Sequence, residues 1–256
     1  MKAKSFLSFT LVAVLITALS MAWACNKPQK LTPAKQKFDT VAVKKSVKQK
    51  SDTLTDTTST IIFTFENYAL GSLPASWSEY FGGRGKHTDW KITSLDSNKV
   101  MEQVSSDNPN NHFNIVVYDS LQAKDVELTV KFKALTGHFD QGGGLIWRFK
   151  DKNNYYVVRA NPLEDNVVLY KVENGRRSSL PVMGKLISYG VKVKNLDKNW
   201  HTLRLVAKGN LFTVYLDGKE LFQVKDNTFT NAGKIGLWTK SDAVTAFDDL
   251  QVKKLK

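Results

Sequence analysis

The sequence predicts an all-β sandwich, and three observations favour that fold class. From Ile61 onward, short apolar runs recur between turn residues, and Val126–Phe132 alternates cleanly between apolar and polar side chains. Asn174-Gly175 and Asp217-Gly218 are typical turns between antiparallel strands. No stretch shows a helical period of useful length. Many short strands joined by regular turns are typical of sandwiches and jelly rolls.

The first 24 residues have the pattern of an export signal, which is set aside before the fold is considered. Lys2 and Lys4 precede an apolar run, and small residues then lead to Cys25, the single cysteine. This arrangement resembles the lipobox of bacterial lipoproteins, in which the cysteine is acylated and becomes the N-terminus. A lone thiol in an exported protein invites oxidation unless it is modified, which favours lipidation. An ordinary secretory signal and an uncleaved anchor are the alternatives, because the apolar run approaches the spanning length of about 18 residues.

Residues 25–60 are predicted to be a disordered tether. The segment is rich in Lys, Gln, Thr and Ser and has too few apolar side chains to bury a core. Its lysines outnumber its three acids, so much of the formal net charge of +13 lies outside the predicted domain. We therefore expect attraction to anionic lipid and no nucleic-acid binding, for which no motif is present. Asn26 is not the aspartate that retains some lipoproteins at the inner membrane, so we expect an outer-membrane, periplasm-facing lipoprotein.

Two runs carry a family resemblance: WR-x-KD-x-NNYYVVRANPLEDNVVLYKVENGRR in the centre and GLWTKSDAVTAFDDLQV near the C-terminus. Together they resemble bacterial 3-keto-disaccharide hydrolase-like domains, over roughly Ile61 to Val252. The resemblance implies a concanavalin A-like jelly roll for residues 61–256 and a saccharide or glycoside as its partner. It also implies hydrolysis or lyase-type cleavage of a (3-keto-)disaccharide. A non-catalytic carbohydrate-binding or scaffold lipoprotein of the cell envelope is the alternative, and we expect a monomer.

Two arginines on neighbouring predicted strands mark the candidate site. Side chains alternate across a strand, so Arg148 and Arg159 are predicted to share one face, opposite Trp147 and Tyr156. An unpaired buried guanidinium is costly, so these arginines either pair with carboxylates or line a wet concave surface that holds a ligand. We favour the ligand, because an ordinary aromatic core does not explain arginines at matching positions. The predicted saccharide-binding residues are Arg148, Tyr155, Arg159, Asn161, Asn166, Lys171, Lys240 and Asp242.

Catalytic residues are not predicted, and a metal site is predicted only in outline. The E-x-D-x-x-E strand motif shared by retaining glycosidases of this fold is absent, and the four histidines lack zinc-type spacing. A 3-keto sugar permits β-elimination by a single base, because the ketone acidifies a neighbouring C–H; Arg or a metal would stabilise the enolate. If the first and last strands pair, Glu66 and Asp248 could meet and hold Ca²⁺. Surface ion pairs with nearby lysines are the alternative.

Overall fold

The computed structural model describes residues 60–185 and 188–256. The predicted signal, Cys25 and nearly all of the predicted tether lie outside the described residues. All regular structure in the described ranges is β, and no helix there is long and apolar enough to cross a membrane. The strands are β1 (Thr60–Phe63), β2 (Trp77–Gly83), β3 (Trp90–Leu95), β4 (Asn98–Gln103), β5 (His112–Ala123), β6 (Val126–Thr136), β7 (Gly143–Asp151), β8 (Asn154–Asn161), β9 (Asn166–Glu173), β10 (Arg176–Ser179), β11 (Val191–Lys192), β12 (His201–Lys208), β13 (Leu211–Leu216), β14 (Lys219–Lys225), β15 (Gly233–Lys240) and β16 (Val244–Lys254).

The strands form two antiparallel sheets. The first sheet has the order β14-β13-β12-β6-β16-β4-β3, with β1 also paired to β16. The second has the order β10-β9-β8-β7-β15-β5-β2, with β11 paired to β9. Runs of consecutive strands, such as β7 to β10, are joined in each sheet to strands from distant parts of the chain, such as β15 beside β5 and β16 beside β6, as in a jelly roll. The predicted sandwich is therefore confirmed, and the first and last strands, β1 and β16, pair with each other.

Alternating apolar side chains form the main core between the two sheets. Trp147 and Tyr156, on neighbouring strands of the second sheet, stack with ring centroids 5.2 Å apart. Both contact Phe212 of the first sheet, at 5.2 and 4.9 Å between ring centroids. All three rings are fully buried. The prediction that Trp147 and Tyr156 share a face is confirmed, and that face is the core face.

Both predicted tight turns are present. Asn174 and Gly175 have φ of 50° and 78°, and Asp217 and Gly218 have the same pair of values. Two successive positive φ angles match the right-handed twist of the strands that these turns connect. The turns fix the registers of the β9–β10 and β13–β14 hairpins.

Two strands, β2 and β11, are absent from the sequence prediction. Strand β2 is an edge strand that ends in Gly82-Gly83, and only Trp77 and Gly82 within it are buried. An edge strand with such mixed exposure does not show clean alternation. Strand β11 has two residues, which is too short for any periodic signal.

Arg148 does not share a face with Arg159, so that prediction is wrong. The β7–β8 register is broken between Trp147 and Asp151, and Arg148 has a φ of 49°. A bulge of this kind inserts an unpaired residue and redirects its side chain. Arg148 therefore points to one end of the sandwich, where its guanidinium carbon lies 5.4 Å from the centroid of the Phe212 ring in the main core.

The buried Arg148 guanidinium joins three connections at that end of the sandwich. Its Nε donates to the carbonyl of Lys124 at 2.8 Å, and its Nη1 donates to the carbonyl of Phe229 at 2.7 Å. Its Nη2 donates to the carbonyl of Gly209 at 2.5 Å and to Asp125 Oδ1 at 3.2 Å. Its role is therefore structural: it satisfies three backbone carbonyls and one carboxylate that no apolar side chain could serve.

We expect Arg148→Met to destabilise the fold by about 3–5 kcal/mol, because it leaves without a donor the carboxylate and the carbonyls that one buried cation serves in the unsubstituted protein. The measurement is the free energy of unfolding in urea. Arg204→Met is the matched control: Arg204 pairs with Glu127 at 2.9 Å but keeps 35% of its side chain exposed, so the expected loss is at most about 1 kcal/mol. Equal effects of the two substitutions would contradict the structural role of Arg148.

Candidate functional site

The second sheet curls around its outer face, the face that points away from the main core. Tyr170 on β9 and Phe113 on β5 both lie on this face, four strands apart in the sheet order. In a flat sheet with strands about 4.8 Å apart, that separation would be roughly 19 Å. Yet the guanidinium carbon of Arg177 lies 4.4 Å from the Tyr170 ring centroid and 5.3 Å from that of Phe113. The outer face is therefore strongly concave.

The floor of the concave face is apolar. Tyr155 and Trp238 are fully buried on it, and the Trp238 Nε1 donates to the Tyr155 hydroxyl at 3.2 Å. Burial raises the pKa of the Tyr155 phenol, which therefore stays neutral. The buried apolar residues of the floor are Phe113, Ile115, Val117, Ile146, Phe149, Tyr155, Val157, Val168, Tyr170, Val172 and Trp238.

At one end of this floor, Arg159 on β8 centres a buried charged cluster. Its Nη2 donates to Glu164 Oε2 at 2.9 Å, to the Tyr170 hydroxyl at 3.1 Å and to Asn166 Oδ1 at 3.3 Å. Its Nη1 lies 3.7 Å from Asp140 Oδ2. Its Nε and Nη1 are buried and have no hydrogen-bond partner among the described residues. One nitrogen of the guanidinium is therefore fully engaged, and the other two have unused donors.

Asp140 balances two cations in this cluster and is completely buried. Its Oδ2 faces Arg159 and lies 3.3 Å from Lys240 Nζ. Its Oδ1 accepts hydrogen bonds from the backbone N–H of Gly142 at 2.8 Å and from Asn161 Nδ2 at 3.3 Å. The carboxylate is thus fixed by the start of β7, the end of β8 and the end of β15.

Asp242 acts on the cluster through the backbone. Its carboxylate accepts hydrogen bonds from the N–H groups of His138, Phe139 and Asp140 at 2.6–3.1 Å. These bonds hold the β6–β7 loop in the conformation that places Asp140 beside Arg159. Asp242 is a positioning residue for the cluster.

The electrostatics of the cluster favour ionised side chains. Burial alone would raise the pKa of Glu164, but Arg159 and Asn166 outweigh it and lower that pKa below its usual range. Burial alone would lower the pKa of Arg159, but Tyr170, Asp140 and Glu164 reverse the effect and raise it. The cluster therefore holds an ionised Glu164 beside a permanently charged Arg159 at neutral pH.

Three loops at this end each expose a large apolar side chain. Phe139 is in the β6–β7 loop, Leu163 in the β8–β9 loop and Tyr189 in the connection from β10 to β11, and each is about half exposed. The Tyr189 hydroxyl lies 2.7 Å from that of Tyr170 on the floor. Apolar side chains therefore border a charged, hydrogen-bonding interior.

A cavity of about 470 Å³ lies at the other end of β7, where Phe149 of the floor forms part of its lining. Gln122, Asn231 and Lys234 contribute polar groups to this lining. The concave face thus has polar groups at both ends of its apolar floor.

The predicted site residues lie in three places: the concave face, the bulge at Arg148 and the opposite face of β9. The structure brings Arg159, Asn161, Asn166, Lys240 and Asp242 together at one end, and Tyr155 lies farther along the same face. Arg148 lies beyond the bulge.

Lys171 is directed to the opposite face of β9, so its placement in the predicted set is wrong. It pairs in register with the inward-facing Tyr156, donates to Thr228 Oγ1 at 2.7 Å and lies 3.2 Å from Glu173. Alternation along β9 separates Lys171 from Tyr170, which lies on the concave floor.

Three charged residues of the concave face are missing from the predicted site: Asp140, Glu164 and Arg177. Asp140 precedes the glycines at 142–144, which was the available signal, because such a run allows a close approach of side chains. Glu164 and Arg177 carried no signal of their own, since a loop acid and an arginine after a turn are usually solvated.

The predicted calcium residues are close to each other but do not form a ligand set. Burial raises the pKa of Asp248, and Asp249 and Glu66 add to that shift, so the acids are within electrostatic range. Glu66 Oε1, however, accepts the backbone N–H of Lys99 at 2.9 Å. Within residues 60–185 and 188–256, no group of three or more His, Cys, Asp or Glu side chains could hold a metal ion.

The family described as a 3-keto-alpha-glucoside-1,2-lyase-like domain matches residues 76–253. Among solved structures, the carbohydrate binding module CBM66 from Bacillus subtilis is similar at a TM-score of 0.54 and 21% sequence identity, covering 70% of this chain and 96% of that chain. The cellulose induced protein Cip1 is similar at a TM-score of 0.54 and 12% identity, covering 75% and 96%. No curated protein matches the sequence. At these identities the two structural matches establish a shared fold.

Proposed function

The chain belongs to the 3-keto-alpha-glucoside-1,2-lyase-like domain family, and we propose that it binds a saccharide or glycoside on the concave face, at the Arg159 end. One observation carries the proposal: a buried guanidinium, two nitrogens of which have no hydrogen-bond partner among the described residues, lies beside an apolar, ring-lined floor. A buried donor without an acceptor costs about 1–3 kcal/mol, so an acceptor from outside the chain is expected. Sugar hydroxyls are such acceptors.

The apolar side chains at the rim suit the C–H groups of a sugar ring. Pyranose rings present C–H groups that pack on aromatic faces, and Phe139 and Tyr189 are half exposed around the cluster. The solved structure of a carbohydrate binding module with this fold supports the same ligand class. The proposed partner is therefore a saccharide held by polar contacts inside and by aromatic contacts at the rim.

We further propose that the bound glycoside is cleaved by elimination. With a ketone at C3, a base can remove the C2 proton, because the resulting carbanion is stabilised as an enolate. The C1–O bond then breaks, a C1=C2 double bond forms, and the leaving oxygen takes up a proton to give the free alcohol. Arg159 and Lys240 are the residues that we propose to stabilise the enolate oxygen.

Glu164 is the proposed base. It is the more accessible of the two carboxylates beside Arg159, with 37% of its side chain exposed against 0% for Asp140. Its lowered pKa keeps it ionised, as a base requires. A non-catalytic carbohydrate-binding domain is the second candidate, because the Glu164 Oε2 is already engaged by Arg159 and Asn166.

We expect Arg159→Gln to weaken disaccharide binding by about tenfold or more, since a charged hydrogen-bond donor is lost. Isothermal titration with trehalose and 3-ketotrehalose, below the melting temperature of each variant, is the measurement. Lys171→Gln is the matched control, because it removes one positive charge from the opposite face of β9. Equal binding by the two variants would place the site elsewhere.

We expect Glu164→Gln to reduce elimination of 3-ketotrehalose by about 10²-fold or more while binding is retained. Because the pKa of Glu164 is lowered, the acidic limb of kcat/KM in the unsubstituted protein should lie below the ordinary glutamate pKa of about 4.3. The same lowered pKa makes Glu164 contribute stability above its ordinary pKa and lose that contribution as pH falls, so unfolding is followed in parallel.

Glu173→Gln is the control for Glu164→Gln, because Glu173 pairs with Lys171 away from the cluster. A chelator arm tests the proposed Ca²⁺ at Glu66 and Asp248, for which backbone carbonyls would have to supply the remaining ligands. A fall in thermal stability on chelation would support a structural ion, and unchanged stability would contradict it. Binding of 3-ketotrehalose without glucose release would favour the non-catalytic alternative.

We also propose that the protein is a lipoprotein anchored at the outer membrane through Cys25 and facing the periplasm, on the lipobox-like sequence alone. Cys25→Ala should release the protein from membranes or leave an uncleaved precursor. Membrane fractionation and mass spectrometry of the mature N-terminus are the measurements. An unmodified Cys25 in mature protein would contradict the proposal.

A further inference from the structure

Arg177 on β10 extends over the centre of the concave floor. Its guanidinium carbon lies 4.4 Å from the ring centroid of Tyr170, 5.3 Å from that of Phe113 and 5.6 Å from that of Trp238. These rings come from three different strands, β9, β5 and β15. The cation is thus held over a cage of aromatic faces, which attract it through their quadrupoles.

Arg177 differs from the other cations of this face in having no acidic partner. Arg159 and Lys240 are matched by Asp140 and Glu164. No carboxylate among the described residues forms an ion pair with Arg177, and its Nη1 is buried without a hydrogen-bond partner there. Arg177 therefore carries a positive charge that has no ion-pair partner among the described residues.

This unmatched charge lies next to the proposed saccharide site. Tyr170 separates the two guanidiniums: the Arg159 carbon is 5.8 Å from its ring centroid and the Arg177 carbon is 4.4 Å away. A ligand bound at Arg159 would therefore extend within reach of Arg177. A methionine of similar length would cover the same rings without an unmatched charge, so cover alone does not explain an arginine here.

We propose that the ligand is an acidic saccharide, whose carboxylate pairs with the guanidinium of Arg177. This inference rests on the proposed saccharide function and adds the chemical class of the ligand. A planar carboxylate matches the two parallel donors of a guanidinium, which a sugar hydroxyl cannot do. Uronic acids, in which the primary alcohol of a sugar is oxidised to a carboxylate, have this chemistry on an otherwise unchanged ring.

The test compares matched neutral and acidic disaccharides on the full chain. The pairs are maltose with its glucuronosyl-glucose counterpart, and α-1,4-galactobiose with α-1,4-digalacturonate. Within a bound pair, we expect the acidic member to bind about tenfold tighter at low salt, and the preference to shrink as salt is added. Affinity is measured by isothermal titration.

Three substitutions separate charge from structure. Arg177→Gln should abolish the acidic preference and leave the affinity for the neutral member within about twofold. Arg177→Lys should retain part of the preference, because it keeps the charge and loses the planar fork. Arg176→Gln is the control: it removes the same charge from the exposed neighbour on β10 and should leave the preference intact.

The outcomes distinguish the two proposals. Equal binding of neutral and acidic members by the unsubstituted protein would overturn the inference and leave the saccharide function standing. So would equal loss of both affinities in Arg177→Gln together with a lower melting temperature, which would make Arg177 a structural cover. If none of the four sugars bound, the saccharide function itself would fail on these probes, and the inference would fail with it.

Discussion

The bulge in β7 at Arg148 is the constraint on which the shape of the second sheet depends. The registers of β15 with both of its neighbours shift at the same level, between Gly233 and Gly236. A Cβ on Gly233 would lie 2.5 Å from the carbonyl carbon of Arg148, so the strands approach closely there. Bulges increase local twist and bend, and three strands deviate together, so the sheet curls. The oxygens around the Arg148 guanidinium hold that geometry in place.

The sequence predicted the parts of the fold that follow from a period of two and from turn chemistry. Alternation placed Trp147 and Tyr156 in the main core and Tyr155 on the other face, and the Asn-Gly and Asp-Gly pairs marked two hairpins. Alternation failed at Arg148, because one inserted residue resets the period and nothing local in the sequence marks it. The predicted fold class is correct despite this error, because it depends on many strands. The predicted set of site residues is wrong at Arg148, because it depends on the orientation of single side chains.

The site was predictable only where its residues lie close together in sequence. Arg159, Asn161 and Asn166 end or begin adjacent strands, so one hairpin delivers all three. Asp140 and Arg177 come from other elements, and the curl of the sheet, not their spacing, brings them to the same face. A concave surface brings together residues from several strands. Which residues meet there therefore depends on the curvature of the sheet, which a single sequence does not predict.

Charge pairing divides the concave face into two kinds of position. Arg159 is fixed through Nη2 by Glu164 and Asn166. The Asp140 carboxylate accepts the N–H of Gly142, and the Asp140 backbone is held by Asp242, so this end is rigid before any ligand arrives. Rigid, matched charges suit a task that needs fixed geometry, such as holding a sugar oxygen as charge develops on it. Arg177 is held mainly by aromatic rings, which stabilise its positive charge but do not fix the orientation of its guanidinium. A cation held in this way can turn its N–H donors toward an incoming group. On the concave floor, the unpaired Arg177 therefore suits ligand recognition, and the ion-paired Arg159 cluster suits the chemistry.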